Sequence, residues 1–273
     1  MFLDVALQNK LEKLQNYLKA LGSCAIAFSG GVDSTFLLAV AKEVLAEKCI
    51  AITISSALIP GNELWEAKNF CNQLGVKHFI LEVDELATPG FKENPPERCY
   101  LCKRNIFAQV LALAKAQGID YVCEGSNLDD EGDYRPGMRA IKELDVKSPL
   151  RFANLTKNEI RTLSKVYNLS TWNKPSYACL ASRIPYGDEI NKEKLALIDA
   201  GEKFLHELGF LNIRLRLHKN LARLELTEAD YEKIYSRSMR EKIYAGLKQI
   251  GFAYIAVDLL PYETGRLNAE ILK

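Results

Sequence analysis

The stretch of this chain best suited to chemistry is Ser29-Gly30-Gly31-Val32-Asp33-Ser34, which follows an apolar run and precedes a helical pattern. Its glycines allow a tight turn and let a ligand approach the backbone without meeting a Cβ atom. The first N–H groups of the helix that follows have no intrahelical partner and attract anions. The pattern therefore predicts a site for nucleotide phosphates at Ser29, Gly30, Gly31, Asp33 and Ser34, and the alternative is an ordinary glycine-rich turn.

Asp33 places a carboxylate within this predicted anion site. A negative charge there indicates that a cation such as Mg²⁺ lies between the carboxylate and the phosphates. The Gly-Lys-Ser/Thr ending of a Walker A loop is absent, so the stretch belongs to another type of phosphate loop. Asp129 and Asp130 are further candidates for holding Mg²⁺, with a solvated acidic loop as the alternative.

Three of the cysteines lie where a thiol can react. Cys179 falls outside the predicted helices and strands, between Lys174 and Arg183, and nearby cations favour the thiolate. Cys99 and Cys102 share one face at the start of a predicted helix, where the helix end also favours thiolates. The alternatives are an inert loop cysteine at position 179, and a redox pair or half of a zinc site at 99 and 102. The other cysteines fall within predicted elements and are interpreted as buried small hydrophobes: Cys24, Cys49, Cys71 and Cys123.

Arginines alternate with leucines in two neighbouring strand patterns near the C-terminus. Arg214, Arg216 and Arg223 fall on one face of this predicted hairpin, together with Glu225. One interpretation is a solvated sheet face. The other is a binding surface, because guanidinium groups bind phosphates and carboxylates in a bidentate manner.

Short apolar strand patterns alternate with helical patterns before residue 125, at about 24–28, 49–55, 78–83 and 121–124. This alternation is typical of an α/β fold with a parallel, doubly wound sheet. Ligands of such sheets bind beyond the carboxyl ends of the strands. Ser55 and Gly125 therefore join the predicted nucleotide site. We expect the Ser55 backbone to recognise adenine, and Gly125 to let the end of its strand come close to the nucleotide.

The pattern changes after residue 187, where a helix at about 192–208, a hairpin, a helix at about 229–250 and a strand at 253–257 follow. They predict a second, smaller α+β domain. We therefore expect one domain over residues 1–183 and another over 184–273. Two long segments, 84–98 and 128–147, are predicted to be irregular, and lids or disorder would explain them.

Composition limits the class of protein. Lys and Arg number 36 against 35 Asp and Glu, a net charge of +1, whereas a domain dedicated to nucleic acid is strongly basic. The chain lacks an apolar run of membrane-spanning length and a secretory signal pattern. Its cysteines do not form a disulfide framework, so we expect a cytoplasmic protein. The lack of a membrane-spanning run predicts no membrane partner. The chain has only three histidines, which does not favour a His-based zinc site or a Ser-His-Asp triad.

Four motifs together resemble a known family. The stretch 29–34 is similar to the signature of the PP-loop ATP pyrophosphatases, which adenylate a carbonyl oxygen and release pyrophosphate. Segments 124–130, 133–137 and 174–187 narrow the resemblance to the LarE-type ATP-dependent sulfur transferases, which help to build the nickel-pincer nucleotide cofactor of lactate racemase. The resemblance covers nearly the whole chain. It implies use of ATP and Mg²⁺, a pyridinium biscarboxylic acid mononucleotide as substrate, and a homo-oligomer.

The resemblance also implies a role for Cys179. In family members of the sacrificial kind, this cysteine attacks the adenylate and loses its sulfur to the substrate, leaving dehydroalanine. The pair Cys99 and Cys102 departs from that kind and resembles the three-cysteine variants. There, three thiolates would hold a [4Fe–4S] cluster with one iron open to hydrosulfide, and Cys179 would survive turnover. Both sulfur sources remain open at this point.

Further residue roles follow from the resemblance. It extends to an Arg-x-Arg and to acidic residues that correspond to substrate ligands: Arg214, Arg216, Glu202 and Glu225. Arg183 is expected to hold the phosphate of the adenylate. Arg98 immediately precedes the cysteine pair and is expected to contact substrate.

Three other functions compete with this interpretation. A transfer-RNA thiolase shares the loop and the cysteines but needs a basic surface or an added RNA-binding module. An amidating synthetase uses ammonia on the same adenylate and needs no reactive cysteine. A nucleotide sensor would bind ATP without forming pyrophosphate.

Overall fold

The computed structural model describes residues 4–60, 63–130, 136–175, 178–210 and 212–263. The chain divides into two compact units. The first comprises Met1–Ser56, Gly61–Glu85 and Cys99–Tyr177, and the second comprises Ala57–Pro60, Leu86–Arg98 and Ala178–Lys273. Two short segments from the N-terminal half thus cluster with the second unit. The boundary expected between residues 183 and 184 stays a prediction.

A parallel four-stranded sheet forms the centre of the first unit, in the order β3-β2-β1-β4. Its strands are β1 (Cys24–Ala27), β2 (Cys49–Ser55), β3 (Lys77–Glu82) and β4 (Val122–Cys123). Strands β1 and β2 are almost uninterrupted apolar runs because helices cover both faces of a parallel sheet. The predicted α/β class and the parallel sheet are confirmed.

Helices pack against both faces of this sheet. They are α1 (Val5–Leu21), α2 (Val32–Leu45), α3 (Glu63–Leu74), α4 (Arg98–Ala116), α5 (Gly137–Glu143), α6 (Pro149–Phe152) and α7 (Lys157–Val166). Cys24 and Ile26 of β1 join the core formed with α1, α2 and α7. Ala25, between them, joins the core formed with α4 and α5. The pleat of the strand therefore divides the apolar residues between two cores.

The second unit contains α8 (Lys192–Glu207), β5 (Arg214–His218), β6 (Leu221–Glu225), α9 (Glu228–Tyr235), α10 (Arg237–Ile250) and β7 (Tyr254–Val257). Strand β6 pairs antiparallel with β5 and parallel with β7. The predicted hairpin and the smaller α+β unit are confirmed. No helix in the described part of the chain has the length and apolar character needed to cross a membrane.

Two expectations about regular structure were wrong. Residues 229–250 are two helices, because Ser236 takes an extended conformation and its side chain accepts a hydrogen bond from Met239 N, which starts α10. The segment 128–147 was expected to be irregular but contains α5. Gly137 allows that helix to pack closely, since a Cβ atom there would lie 2.7 Å from Lys103 Cδ.

The four cysteines interpreted as small hydrophobes are buried, as predicted. Cys24 and Cys49 lie opposite each other on β1 and β2. A hydrogen bond with Cys123 and burial raise the pKa of the Cys24 thiol well above its ordinary value. Burial raises the pKa of Cys71 to about 12. The Cys24 and Cys71 thiols are therefore protonated at neutral pH, and a protonated buried thiol is a poor nucleophile.

We expect iodoacetamide to modify Cys99, Cys102 and Cys179 in the folded, metal-free protein, because these three are exposed or partly exposed. Peptide mass mapping after a short pulse measures the modification at each position. All seven cysteines should react once guanidinium unfolds the chain. Rapid labelling of Cys24 or Cys49 in the folded protein would contradict this assignment.

Candidate active site

The phosphate loop connects β1 to α2 in the first unit. Gly30 has a φ of +70°, a left-handed conformation that favours glycine. Gly31 precedes the first helical residue, Val32, and among the described residues no side chain caps this helix end. The backbone N–H groups at the start of α2 are thus directed toward the place where an anion would bind.

Two serine hydroxyls close the phosphate loop. Ser29 Oγ and Ser34 Oγ lie 3.0 Å apart, and Ser34 Oγ donates to Gly31 O at 3.3 Å. Ser29 Oγ accepts from Gly31 N at 3.4 Å. These bonds hold the turn in shape. The structure therefore brings together the hydroxyl and backbone groups of Ser29, Gly30, Gly31 and Ser34, whose role in binding phosphates stays a prediction.

Gly125 follows β4 and lies against the start of α2. A Cβ atom at this position would lie 3.1 Å from Ser34 N and 3.3 Å from Asp33 Cβ. The missing side chain thus lets the end of β4 approach the phosphate loop itself. Ser55 ends β2, and its carbonyl accepts from Val83 N at 3.0 Å. Its role in recognising adenine stays a prediction.

Asp33 is the second residue of α2 and has two partners that the sequence did not reveal. Lys157 Nζ forms an ion pair with its carboxylate, and Asn127 Nδ2 donates to Asp33 Oδ1 at 3.3 Å. Lys157 is the first residue of α7, more than a hundred positions along the chain. The side chains of Asp33 and Lys157 are 21% and 26% exposed, so both remain accessible to a ligand.

Lys174 also lies beside the phosphate loop in the first unit. Its Nζ donates to Gly30 O at 3.1 Å and lies 2.7 Å from Glu66 Oε2 and 3.7 Å from Glu63 Oε1. Burial raises the pKa of the Glu63 carboxyl. The sequence placed Lys174 only as a neighbour of Cys179, and the tertiary structure places it against Gly30.

The acidic pair after β4 shapes the backbone. Asp129 accepts from Lys157 N at 2.8 Å, and Asp130 accepts from Asn127 N at 2.9 Å. Within the described residues, no group of three or more His, Cys, Asp and Glu side chains could hold a metal ion. Mg²⁺ usually binds one or two carboxylates together with substrate phosphates, so the single carboxylate of Asp33 fits an ion that arrives with ATP.

In the second unit, Cys179 is exposed and immediately precedes a short 3₁₀ turn, Leu180–Arg183. Arg183 Nη1 donates to the carbonyl oxygens of Ala178 and Cys179, at 2.7 and 3.3 Å. Leu180 N donates to Leu58 O at 3.0 Å. The backbone that presents the thiol is therefore held from two sides.

Arg183 has no exposed surface and forms a bidentate ion pair with Glu202 of α8. The two bonds measure 2.9 and 2.8 Å, and Glu202 also accepts from Leu215 N at 2.9 Å. In this arrangement both residues position the Cys179 segment. The expected contact of Arg183 with an adenylate phosphate stays a prediction, and this geometry does not favour it.

On the polar face of the hairpin, Arg214, Arg216 and Glu225 are buried and Arg223 is partly exposed, so the alternative of a solvated sheet face was wrong. Arg216 pairs with Glu225 at 2.8 Å and also donates to the carbonyl of Ser182. Arg223 pairs with Glu225 at 3.0 Å and with Asp258. Burial lowers the pKa of the Arg214 guanidinium. The hairpin thus provides a buried charge network behind the turn that follows Cys179.

Arg98 is buried in the second unit. Its Nη1 donates to Asn94 Oδ1 and to Ile184 O, and its guanidinium lies 4.5 Å from the centre of the Tyr186 ring. Cys99, in the first unit, is exposed and Cys102 is partly exposed. Both lie in the first turn of α4, as predicted. The role of Arg98 in binding substrate stays a prediction.

We expect Glu202→Leu to lower the free energy of unfolding by about 3–5 kcal/mol, because it leaves the buried Arg183 charge without its partner. The matched control is Glu241→Leu, which removes an exposed pair with Arg237 in the same unit and should cost less than about 1 kcal/mol. Urea unfolding measures both. Equal losses in the two variants would contradict the assignment.

Comparison with known proteins relates the whole chain to a set of relatives. A family model described as a PP-loop domain matches residues 3–131. The chain is 38% identical to an uncharacterized protein of Synechocystis, over 98% of this chain and all of the relative. It is 33% identical to the pyridinium-3,5-bisthiocarboxylic acid mononucleotide synthase of Lactiplantibacillus plantarum, over 98% of this chain and 96% of the relative.

A more distant relative is the tRNA-specific 2-thiouridylase of Rickettsia rickettsii. It is 24% identical over 68% of this chain and 61% of its own length. The match to the synthase therefore extends through the second unit, and the match to the thiouridylase leaves a third of the chain unaligned.

Proposed function

Because the chain belongs to the LarE-type family of ATP-dependent sulfur transferases within the PP-loop superfamily, we propose that it converts a pyridinium biscarboxylic acid mononucleotide to a thiocarboxylate. The proposal extends to this chain the substrate class that the name of the Lactiplantibacillus relative indicates. Nickel-pincer cofactor synthesis is the process it would serve.

The geometry of the phosphate loop supports the ATP-dependent part of this proposal. A glycine in a left-handed conformation, a helix end without a side-chain cap and the nearby carboxylate of Asp33 match the needs of a triphosphate bound with Mg²⁺. Asp33 would hold that ion, which supplies charge neutralisation at the phosphates. Lys157 and Lys174 add positive charge beside the same loop.

The first chemical step would join the substrate to AMP. A carboxylate oxygen attacks the α-phosphorus, the bond from that phosphorus to the bridging oxygen breaks, and pyrophosphate leaves with the bonding electron pair. The backbone N–H groups at the start of α2 would stabilise the charge that develops on the phosphates. The product is an acyl adenylate, whose AMP is a good leaving group.

Cys179 is the proposed nucleophile of the second step because its thiol is exposed and its backbone is held by Arg183. The thiolate would attack the acyl carbon and release AMP, forming a thioester. Loss of the Cα proton and cleavage of the Cβ–Sγ bond would then give the thiocarboxylate and dehydroalanine at position 179. Atoms and electrons balance in this route without a further reactant.

The alternative sulfur source is a [4Fe–4S] cluster held by Cys99, Cys102 and Cys179. Three accessible thiols are suitable donors, and such a cluster supplies a site for exogenous sulfide. Both sulfur sources stay open, and the experiment below separates them.

The predicted substrate ligands acquire a second proposed role. Glu202 acts on the Cys179 segment through Arg183, and Glu225 acts on it through Arg216, which reaches the Ser182 carbonyl. We propose that these residues position the thiol for substrate, in addition to the predicted contacts of Arg98, Arg214 and Arg216 with it. A homo-oligomer and a cytoplasmic location stay predictions.

We expect the anaerobically purified protein to release pyrophosphate when given ATP, Mg²⁺ and pyridinium biscarboxylic acid mononucleotide. Intact mass spectrometry after turnover identifies the sulfur source. Loss of one H₂S, mapped to residue 179, indicates sacrifice of Cys179. An unchanged protein mass with broad visible iron–sulfur absorbance indicates the cluster.

Two variants serve as matched controls in this assay. Cys179→Ser should retain pyrophosphate release and lose thiocarboxylate formation by either route. Cys99→Ser/Cys102→Ser should lose thiocarboxylate formation only if the cluster supplies sulfur. If Cys179→Ser forms an amide of the substrate in the presence of ammonia, the protein is an amidating synthetase and the proposal is contradicted. If the protein thiolates transfer RNA and does not act on the mononucleotide, it is a transfer-RNA thiolase and the proposal is contradicted.

A further inference from the structure

We infer that Lys157 is a catalytic residue that binds the phosphates of ATP, exchanging its contact with the Asp33 carboxylate for them when ATP and Mg²⁺ bind. The inference rests on the proposed use of ATP and deepens it by assigning a residue that no sequence motif marks. The observation behind it is the contact of Lys157 Nζ with the carboxylate of Asp33 at the start of α2.

The backbone of Lys157 is fixed, whereas its side chain can move. Thr156 and Glu159 form a capping box at the start of α7, with Glu159 accepting from Thr156 N at 2.8 Å. Lys157 N donates to Asp129 at 2.8 Å. The Lys157 stem therefore starts from a rigid point, and its four-carbon chain leaves the ammonium free to exchange one oxygen partner for another.

The stability of α7 does not explain a lysine at this position. The N-terminal end of a helix carries partial positive charge, so a cation in the first turn is unfavourable there. Glu159, also in the first turn, has the favourable sign. The reason for the positive charge must lie in its partner, and that partner is Asp33 of the phosphate loop.

Charge balance favours an exchange when ATP and Mg²⁺ bind. A divalent ion competes with the ammonium for the Asp33 carboxylate and brings polyphosphate oxygens to the same helix end. The Lys157 ammonium, already beside this carboxylate, can then donate to those oxygens. Asn127 Nδ2 remains as a neutral donor to Asp33 and need not be displaced.

A purely structural role for Lys157 predicts the opposite change in the affinity for ATP when the lysine is replaced. If the ammonium only neutralises Asp33 in the ligand-free protein, Mg²⁺ must displace it at a cost. Removing the charge would then tighten the binding of ATP with Mg²⁺. If Lys157 donates to the phosphates, removing it weakens binding.

We expect Lys157→Gln to raise the Kd for ATP in Mg²⁺ by about tenfold or more, as for the loss of a charge-assisted hydrogen bond. The Kd for AMP, which lacks the β- and γ-phosphates, should change much less. Calorimetric titration of the intact protein measures both constants without turnover. Lys157→Arg should retain part of the affinity, because it keeps the charge.

The matched control is Lys10→Gln, which removes the 2.7 Å ion pair between Lys10 of α1 and Glu159 of α7, the helix that carries Lys157. It should leave both dissociation constants unchanged. Equal or tighter binding of ATP by Lys157→Gln, or an equal weakening for ATP and AMP, would overturn the inference and leave the proposed function intact. Failure of the unaltered protein to bind ATP would overturn the proposed function as well.

Discussion

The charge of Asp33 at the start of α2 is the constraint on which the first unit depends. The helix end favours an anionic ligand, and a carboxylate in the same place repels one. The structure resolves this conflict with cations and neutral donors drawn from distant parts of the chain. Lys157 and Asn127 contact Asp33, and Lys174 contacts the Gly30 carbonyl. The close approach of Gly125 brings the β4 end, and with it Asn127, to this site.

In the second unit, an irregular segment presents the exposed thiol of Cys179. Irregular backbone needs hydrogen-bond partners for its carbonyl groups. Arg183 and Arg216 supply them, and each arginine is held by a buried carboxylate, Glu202 or Glu225. A buried guanidinium without such a partner would be strongly destabilising, so the acidic residues stabilise the fold as well as the segment.

Several expectations from the sequence were confirmed for a shared reason. The α/β class, the glycine turn between β1 and α2 and the burial of Cys24, Cys49, Cys71 and Cys123 depend on local patterns of apolar residues and glycine. The break at Ser236 was missed because its capping hydrogen bond competes with an otherwise continuous helical pattern. The sequence left the hairpin face open between a solvated face and a binding surface because arginines normally remain in solvent, and here Glu225 permits the burial of Arg216.

By itself, the sequence determined the α/β class, the glycine-rich turn before α2 and the burial of four cysteines. Those features follow from residue type and spacing within a few turns of chain. Only the tertiary structure decided which charges meet: Lys157 with Asp33, Lys174 with Gly30 and Arg183 with Glu202. The physical reason is that ion pairing depends on distance in space, and a lysine more than a hundred residues away leaves no local pattern that marks its partner.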